Sequence, residues 1–202
     1  LRPNAVDPLS GKNSGNNLGI LAPVLHYHEW SKEDLYILFM MKGGGCENVS
    51  SQYSLPDNKL KAGRDNQGVR RCILDGIFQA QGFGCAPGVI GVGIGGDRLT
   101  GHLMAKYQLF RSLSDSHPDP TLAALEKQVV EEANSLGIGP MGFGGHTTIL
   151  GAKIGLAYRV PASYFVSIAY MCWAYRRKIL IYKPDNTYSI LDNLDHDALP
   201  AL

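Results

Sequence analysis

Apolar positions recur along most of the chain with the period of one regular element or another, and the breaks fall at polar, Gly-rich or Pro-rich stretches. Residues 22–30 and 34–41 read as two strands, and the polar Ser31-Lys32-Glu33-Asp34 between them predicts a hairpin. From 65 to about 82 the period becomes helical, with Val69, Cys72, Ile73, Ile77 and Ala80 on one face. Residues 89–94 form a short apolar strand, and 97–113 return to a helical pattern. A loop rich in Pro and Asp, 115–120, precedes another amphipathic helix over 121–136. The last third is rich in strands. Residues 147–158 alternate, with Leu150, Ala152, Ile154 and Leu156 on one face, as a half-buried strand should. Residues 165–171 and 178–183 are two more strands, and Pro184-Asp185-Asn186-Thr187 is a turn. Strands mix with helices but not in strict β-α-β alternation. The pattern therefore predicts an α/β (mixed α+β) chain of mixed, partly antiparallel sheets flanked by helices.

Composition narrows the function without naming it. The 202 residues suit one ordinary domain with a real core, so residues 1–202 read as a single domain. The 19 basic and 18 acidic side chains nearly cancel, which gives no reason to expect nucleic acid or an anionic membrane as partner. No apolar run approaches the roughly 20 residues that span a bilayer. The chain begins Leu1-Arg2-Pro3 without methionine, as a piece lacking its natural N-terminal segment would. Its four cysteines, Cys46, Cys72, Cys85 and Cys172, are widely and unevenly spaced and include no Cys-x-x-Cys pair. That arrangement argues against a secreted disulfide framework and for a reducing cytoplasm.

Candidate chemistry gathers in segments dense in small residues, three of them carrying a cysteine. They are Lys42-Gly43-Gly44-Gly45-Cys46-Glu47-Asn48, then Gly84-Cys85-Ala86-Pro87-Gly88 followed by Gly91-Val92-Gly93-Ile94-Gly95-Gly96, then residues 138–145, and last Met171-Cys172-Trp173-Ala174-Tyr175-Arg176-Arg177. Glycine at this density lets the backbone approach something bulky. Cysteine beside it supplies soft thiolate ligands. Gly91 to Gly96 also satisfies the dinucleotide fingerprint, but Asp115, at the distance of the expected acidic residue, follows a helix instead of ending a strand. These glycines are read instead as room for a helix N-terminus to approach a cluster or an anion. His26 and His28 share a strand face but lack a third ligand.

The order and wording of these segments, together with Leu1-Arg2 and Gly11-Lys12-Asn13-Ser14-Gly15-Asn16-Asn17, resemble the alpha subunit or N-terminal domain of class I fumarases and L-tartrate dehydratases. Those are oxygen-sensitive hydro-lyases whose 4Fe-4S cluster is held by three cysteines. The resemblance runs nearly end to end, to about Arg177, and implies that Cys85 and Cys172 are the second and third cluster ligands. The family's first cysteine lies in a Cys-Gln-Asp-Thr-Gly motif, which would stand upstream of Leu1. Cys46 is read as a small residue lining the pocket, and Cys72, on the apolar face of a helix, as core. Arg2 matches the family arginine that contacts substrate, Gly45 a glycine whose amide faces it, and Lys42 would add to the positive field. His146, with Thr147 and Thr148, would line the same cavity.

The implied reaction is reversible hydration of fumarate to malate, with the iron that no cysteine ligates acting as a Lewis acid. The further groups and the base would come from a beta-type subunit. The alternatives are an L-tartrate dehydratase alpha subunit, or a non-catalytic assembly or regulatory member of the family. One departure matters: Arg159-Val160-Pro161-Ala162-Ser163 puts valine where the family usually carries a histidine twelve residues before the third cysteine. Valine neither donates a hydrogen bond nor transfers a proton.

Overall fold

A computed structural model describes residues 3–199, which divide into two compact units, residues 3–32 and 33–199. The first unit is held by turns and side-chain hydrogen bonds. Asp7 accepts from the amides of Leu9 and Ser10, and Asn17 from that of Asn4. No residue of 22–30 forms a strand; Ala22 makes one isolated bridge, with Gly19. The expected hairpin is therefore absent. The apolar positions here are interleaved with His26, His28 and Glu29, and Val24, Leu25 and Tyr27 are all exposed, so the alternation has no layer to bury against.

The second unit contains two sheets. The larger is ordered β2 (Ser51–Ser54), β5 (Phe165–Met171), β3 (Gly88–Gly95), β4 (Ile149–Ala157). The β3–β4 pairing is parallel and the other two are antiparallel, so the sheet is mixed, as the pattern predicts. The smaller sheet runs β1 (Leu35–Met40), β6 (Arg177–Tyr182), β7 (Tyr188–Leu191), all antiparallel. Strand β1 thus finds its neighbour far along the chain.

Helices cover both faces of the larger sheet. On one side, α2 (Asn66–Ala80) and α4 (Pro120–Ser135) bury Val69, Ile73, Ile77, Leu122 and Val129 against Ile90, Val92, Ile154 and Ile168. On the other, α3 (Arg98–Gln108) packs Ala105 and Leu109 on Val89, Ala169 and Met171. Each of these helices starts on an aspartate whose carboxylate accepts backbone amides of the first turn: Asp65 from Gly68, Asp97 from Thr100, Asp119 from Thr121. Helix α3 stops short of the expected 113, because Phe110 and Ser112 exchange backbone hydrogen bonds with Leu194. Strand β4 is covered on both faces in its middle, not on one. Ala152 and Ile154 face α4, Lys153 is buried opposite, and Leu150 and Leu156 at the two ends are exposed.

Gly91 and Gly93 lie inside β3, where an added Cβ would strike the carbonyls of Ala105 and Gly101 in α3. They let α3 lie close on the sheet along its length. Beneath α3, Arg111 is wholly buried with its charge met by Asp115 at 2.9 Å and Glu126 at 2.7 Å, and Lys153 adds a second cation 2.7 Å from Asp115. Among the described residues no helix is long and apolar enough to cross a membrane.

Candidate functional site

The small-residue segments that carry cysteines meet at one end of the larger sheet. After β1, Met41 donates to the Arg176 carbonyl, which lays the triple glycine beside the loop following Cys172. A five-residue helix, α1 (Gly44–Asn48), then buries Cys46, whose thiol donates to the Gly84 carbonyl at 3.4 Å. A Cβ at Gly45 would stand 2.7 Å from the Phe83 carbonyl, so glycine is what permits this approach. The segment 138–145 closes on the same loop: Met141 donates to the Ala86 carbonyl at 2.9 Å, and Gly88 to that of Thr148 at 3.1 Å.

Cys85 stands in the left-handed region, with φ of 58°. That conformation costs a non-glycine residue energy and persists only where its surroundings impose it, often at functional positions. Cys172 follows the last residue of β5, and both cysteines are half-exposed free thiols. Burial, followed by the proximity of the ionisable Cys172, pushes the Cys46 thiol up. Between these groups stands Tyr170, in β5, 2% exposed. Its ring fills the space where side chains at Gly84 and Gly88 would otherwise be. Burial raises its phenol strongly, and the neighbouring ionisable Cys46, Cys85 and Cys172 raise it further. Its hydroxyl is buried without a hydrogen-bond partner among the described residues. An orphaned buried donor among thiols calls for an acceptor.

A short ionic chain borders the site. Lys42 Nζ reaches Glu47 at 2.7 Å and donates to Ser50 Oγ at 3.1 Å, while Lys106 holds the other Glu47 oxygen at 2.7 Å. Burial pushes the Lys42 amine down and its pairing with Glu47 opposes that shift. Two lysines on one glutamate leave the edge net positive. Ser50 ties it to the thiols, since its hydroxyl donates to the Cys46 carbonyl and accepts from the Tyr170 amide. His102 lies in the same field, its imidazole pushed down by burial and by Lys106.

Of the residues singled out in sequence, Cys85, Cys172, Gly45 and Lys42 thus fall in this cluster of segments. Cys46 joins them as a buried lining residue, and Cys72 is fully buried in the core with its thiol pushed up to about 12. His146 is exposed, on the loop bonded to the Cys85 segment. Thr147 is exposed as well, whereas Thr148 is buried, its Oγ1 accepting from the Gly139 amide and its own amide donating to Asn134. Arg2 lies outside the described residues. Val160 is exposed in a turn whose carbonyls are clamped by Arg159 and Arg64. Tyr170, Lys106 and His102 were not legible in the sequence: their signal is spatial convergence, and nothing in their local pattern sets them apart.

The loops of this mixed α/β layer thus gather three free cysteines, Cys46, Cys85 and Cys172, beside a positive edge. The chain belongs to the fumarate hydratase (Fumerase) family, whose profile matches residues 1–180. It is 52% identical over 201 residues to a protein of Geobacillus stearothermophilus provisionally named fumarate hydratase class I, a match covering 98% of this chain and 39% of that protein. It is 38% identical over 187 residues to a protein of Methanocaldococcus jannaschii provisionally named L(+)-tartrate dehydratase subunit alpha, covering 92% and 64%. It is 32% identical over 202 residues to the L(+)-tartrate dehydratase subunit alpha of Escherichia coli K12, covering 97% and 62%. The chain thus spans between 39% and 64% of the length of these relatives.

The residues present suit part of a 4Fe-4S site. Cys85 and Cys172 are free and half-exposed, and the unpartnered Tyr170 hydroxyl can donate to sulfur. Among the described residues no group of three or more His, Cys, Asp or Glu side chains could hold a metal ion.

Proposed function

We propose that this chain is the alpha component of an iron-sulfur hydro-lyase that interconverts fumarate and malate. The observation that carries the reading is the meeting of Cys46, Cys85 and Cys172 around Tyr170, in a chain of this family. Cys85 and Cys172 would hold a 4Fe-4S cluster with a third cysteine from outside this chain, and the cluster would supply a Lewis-acidic iron free to bind a substrate oxygen.

The chain's own groups divide the remaining work. Arg2 would grip one substrate carboxylate, for which a planar guanidinium is the matching donor. The amide of Gly45 would donate to the substrate, and the edge of Lys42, Glu47 and Lys106 would hold the field positive for a dianion. His146 would take the catalytic place of the histidine that Val160 replaces, while the base that removes the substrate's carbon-bound proton would come from the beta-type subunit. A beta-type subunit would complete the pocket, in a reducing cytoplasm that spares exposed thiols. Tyr170 would keep the cluster-side thiolates hydrogen-bonded while its ring excludes water.

Fumarate is preferred over tartrate because the 52% identical relative carries the fumarate hydratase name, against 38% and 32% for the tartrate dehydratase alpha subunits. A second reading, a non-catalytic assembly or regulatory member, is favoured by Val160. The test is anaerobic reconstitution of the full-length protein with its beta-type partner, measuring iron, sulfide and turnover of both acids. About four irons per complex with faster fumarate turnover supports the proposal. Cluster with faster tartrate turnover moves the substrate assignment, and a folded complex with neither cluster nor turnover favours the non-catalytic reading.

A further inference from the structure

A cleft of about 360 Å³, lined by Ser112, Leu113, Ser114, Tyr175, Arg177, Asp192 and Asn193, contains none of the residues assigned above. Its chemistry turns on Arg177, the first residue of β6. That side chain is 8% exposed, yet no carboxylate among the described residues pairs with it. Its Nη2 donates to the Arg111 carbonyl at 3.2 Å, its guanidinium carbon lies 3.4 Å from the centre of the Tyr175 ring, and its Nε has no partner. Asp192 also lines the cleft but is committed to Lys178 at 2.5 Å. Arg111, the neighbouring buried cation, is already neutralised by Asp115 and Glu126. One positive charge is thus left over on the wall of a polar cleft. A buried ion without a counter-ion is costly, and an anion relieves that cost.

We propose that this cleft is a second anion site, which takes a small oxyanion (a carboxylate or a phosphate) on Arg177, with one hydroxyl of the Ser112 and Ser114 pair and the amide of Asn193 as neutral donors. Arginine suits such ligands because its fork matches two oxygens at once. In the pair of hydroxyls of Ser112 and Ser114, 2.8 Å apart, one donates to the other, and the second keeps its proton free for an outside acceptor. Burial pushes the Arg177 guanidinium down, opposed by Tyr175 and by the charge of Asp192, and the low local dielectric strengthens its attraction for an anion. This inference does not depend on the hydro-lyase reading.

The test uses the full-length protein, unfolded by heat in increasing sodium phosphate, or in sodium succinate, each against sodium chloride of equal ionic strength. A site of about millimolar Kd should give a saturable rise in Tm of roughly 3 °C or more at twenty times Kd. Phosphate alone, succinate alone or both may produce it, and the pattern identifies the ligand's source. The companion variant is Ser114→Asp, at an exposed position on the rim. Its carboxylate should occupy Arg177, raise the Tm without added anion and abolish the response. No saturable rise in the wild-type protein, or the same rise in Ser114→Asp, overturns the proposal.

Discussion

At the residue scale, Tyr170 separates what a ring does from what its hydroxyl does. The ring plugs the space left by Gly84 and Gly88, while the hydroxyl has no partner among the described residues. Removing a hydroxyl that bonds nothing costs little, whereas emptying an aromatic site costs about 3–5 kcal/mol. Tyr170→Phe should therefore leave the urea midpoint of the cluster-free protein within error, and Tyr170→Ala should lower it sharply. Equal losses in the two variants would mean that the hydroxyl is bonded after all. Asp115 gives a second residue-scale test. It accepts from Arg111, Lys153 and the His196 amide, and although burial raises its carboxyl, these partners together hold it below the usual range. A depressed carboxylate stabilises the fold fully above its unfolded value of about 4, and that contribution is lost as pH falls from there through the folded value. Asp115→Asn should thus be destabilised by roughly 3 kcal/mol at pH 7, with the gap to wild type closing below about pH 4. A gap independent of pH would exclude the carboxylate as its source.

Elements were legible where their pattern is long and their packing local. The periodic faces of α2 and α4 and the run of β5 announced themselves, because each buries its own apolar stripe and the helices carry their own aspartate caps. What escaped is set by partners distant in sequence. Strand β2 is Ser-Gln-Tyr-Ser, with no apolar alternation, and exists because β5 offers it an edge. Helix α1 is five residues opening on two glycines, beyond the reach of propensity. Residues 22–30 erred the other way, alternating as a strand does but with no layer to cover them. The glycines of β3 give the element-scale prediction. A methyl group at Gly91 or Gly93 meets backbone, not a yielding side chain, so α3 must shift as a body. Gly93→Ala should cost about 1–3 kcal/mol by denaturant unfolding, a loss typical of overpacking. An unchanged midpoint would show that α3 sits more loosely on the sheet than the structure has it.

For the whole molecule, the cysteines make the strongest division. Cys85 and Cys172 each sit in a long motif that singles them out in sequence, whereas the closeness of Cys46 to Cys172, and the way Tyr170 fits among all three, are products of tertiary packing. Cys85 and Cys172 are half-exposed, Cys46 is buried at the site and Cys72 is fully buried in the core; we propose the first two as the ligands. The most direct measurement is the iron and acid-labile sulfide bound per complex after anaerobic reconstitution of four single variants, each cysteine to serine, with folding verified by circular dichroism. Cys85→Ser and Cys172→Ser should lose most of the iron, while Cys46→Ser and Cys72→Ser retain it. Full iron in Cys85→Ser and Cys172→Ser would contradict the account, because no cluster could then depend on those thiols.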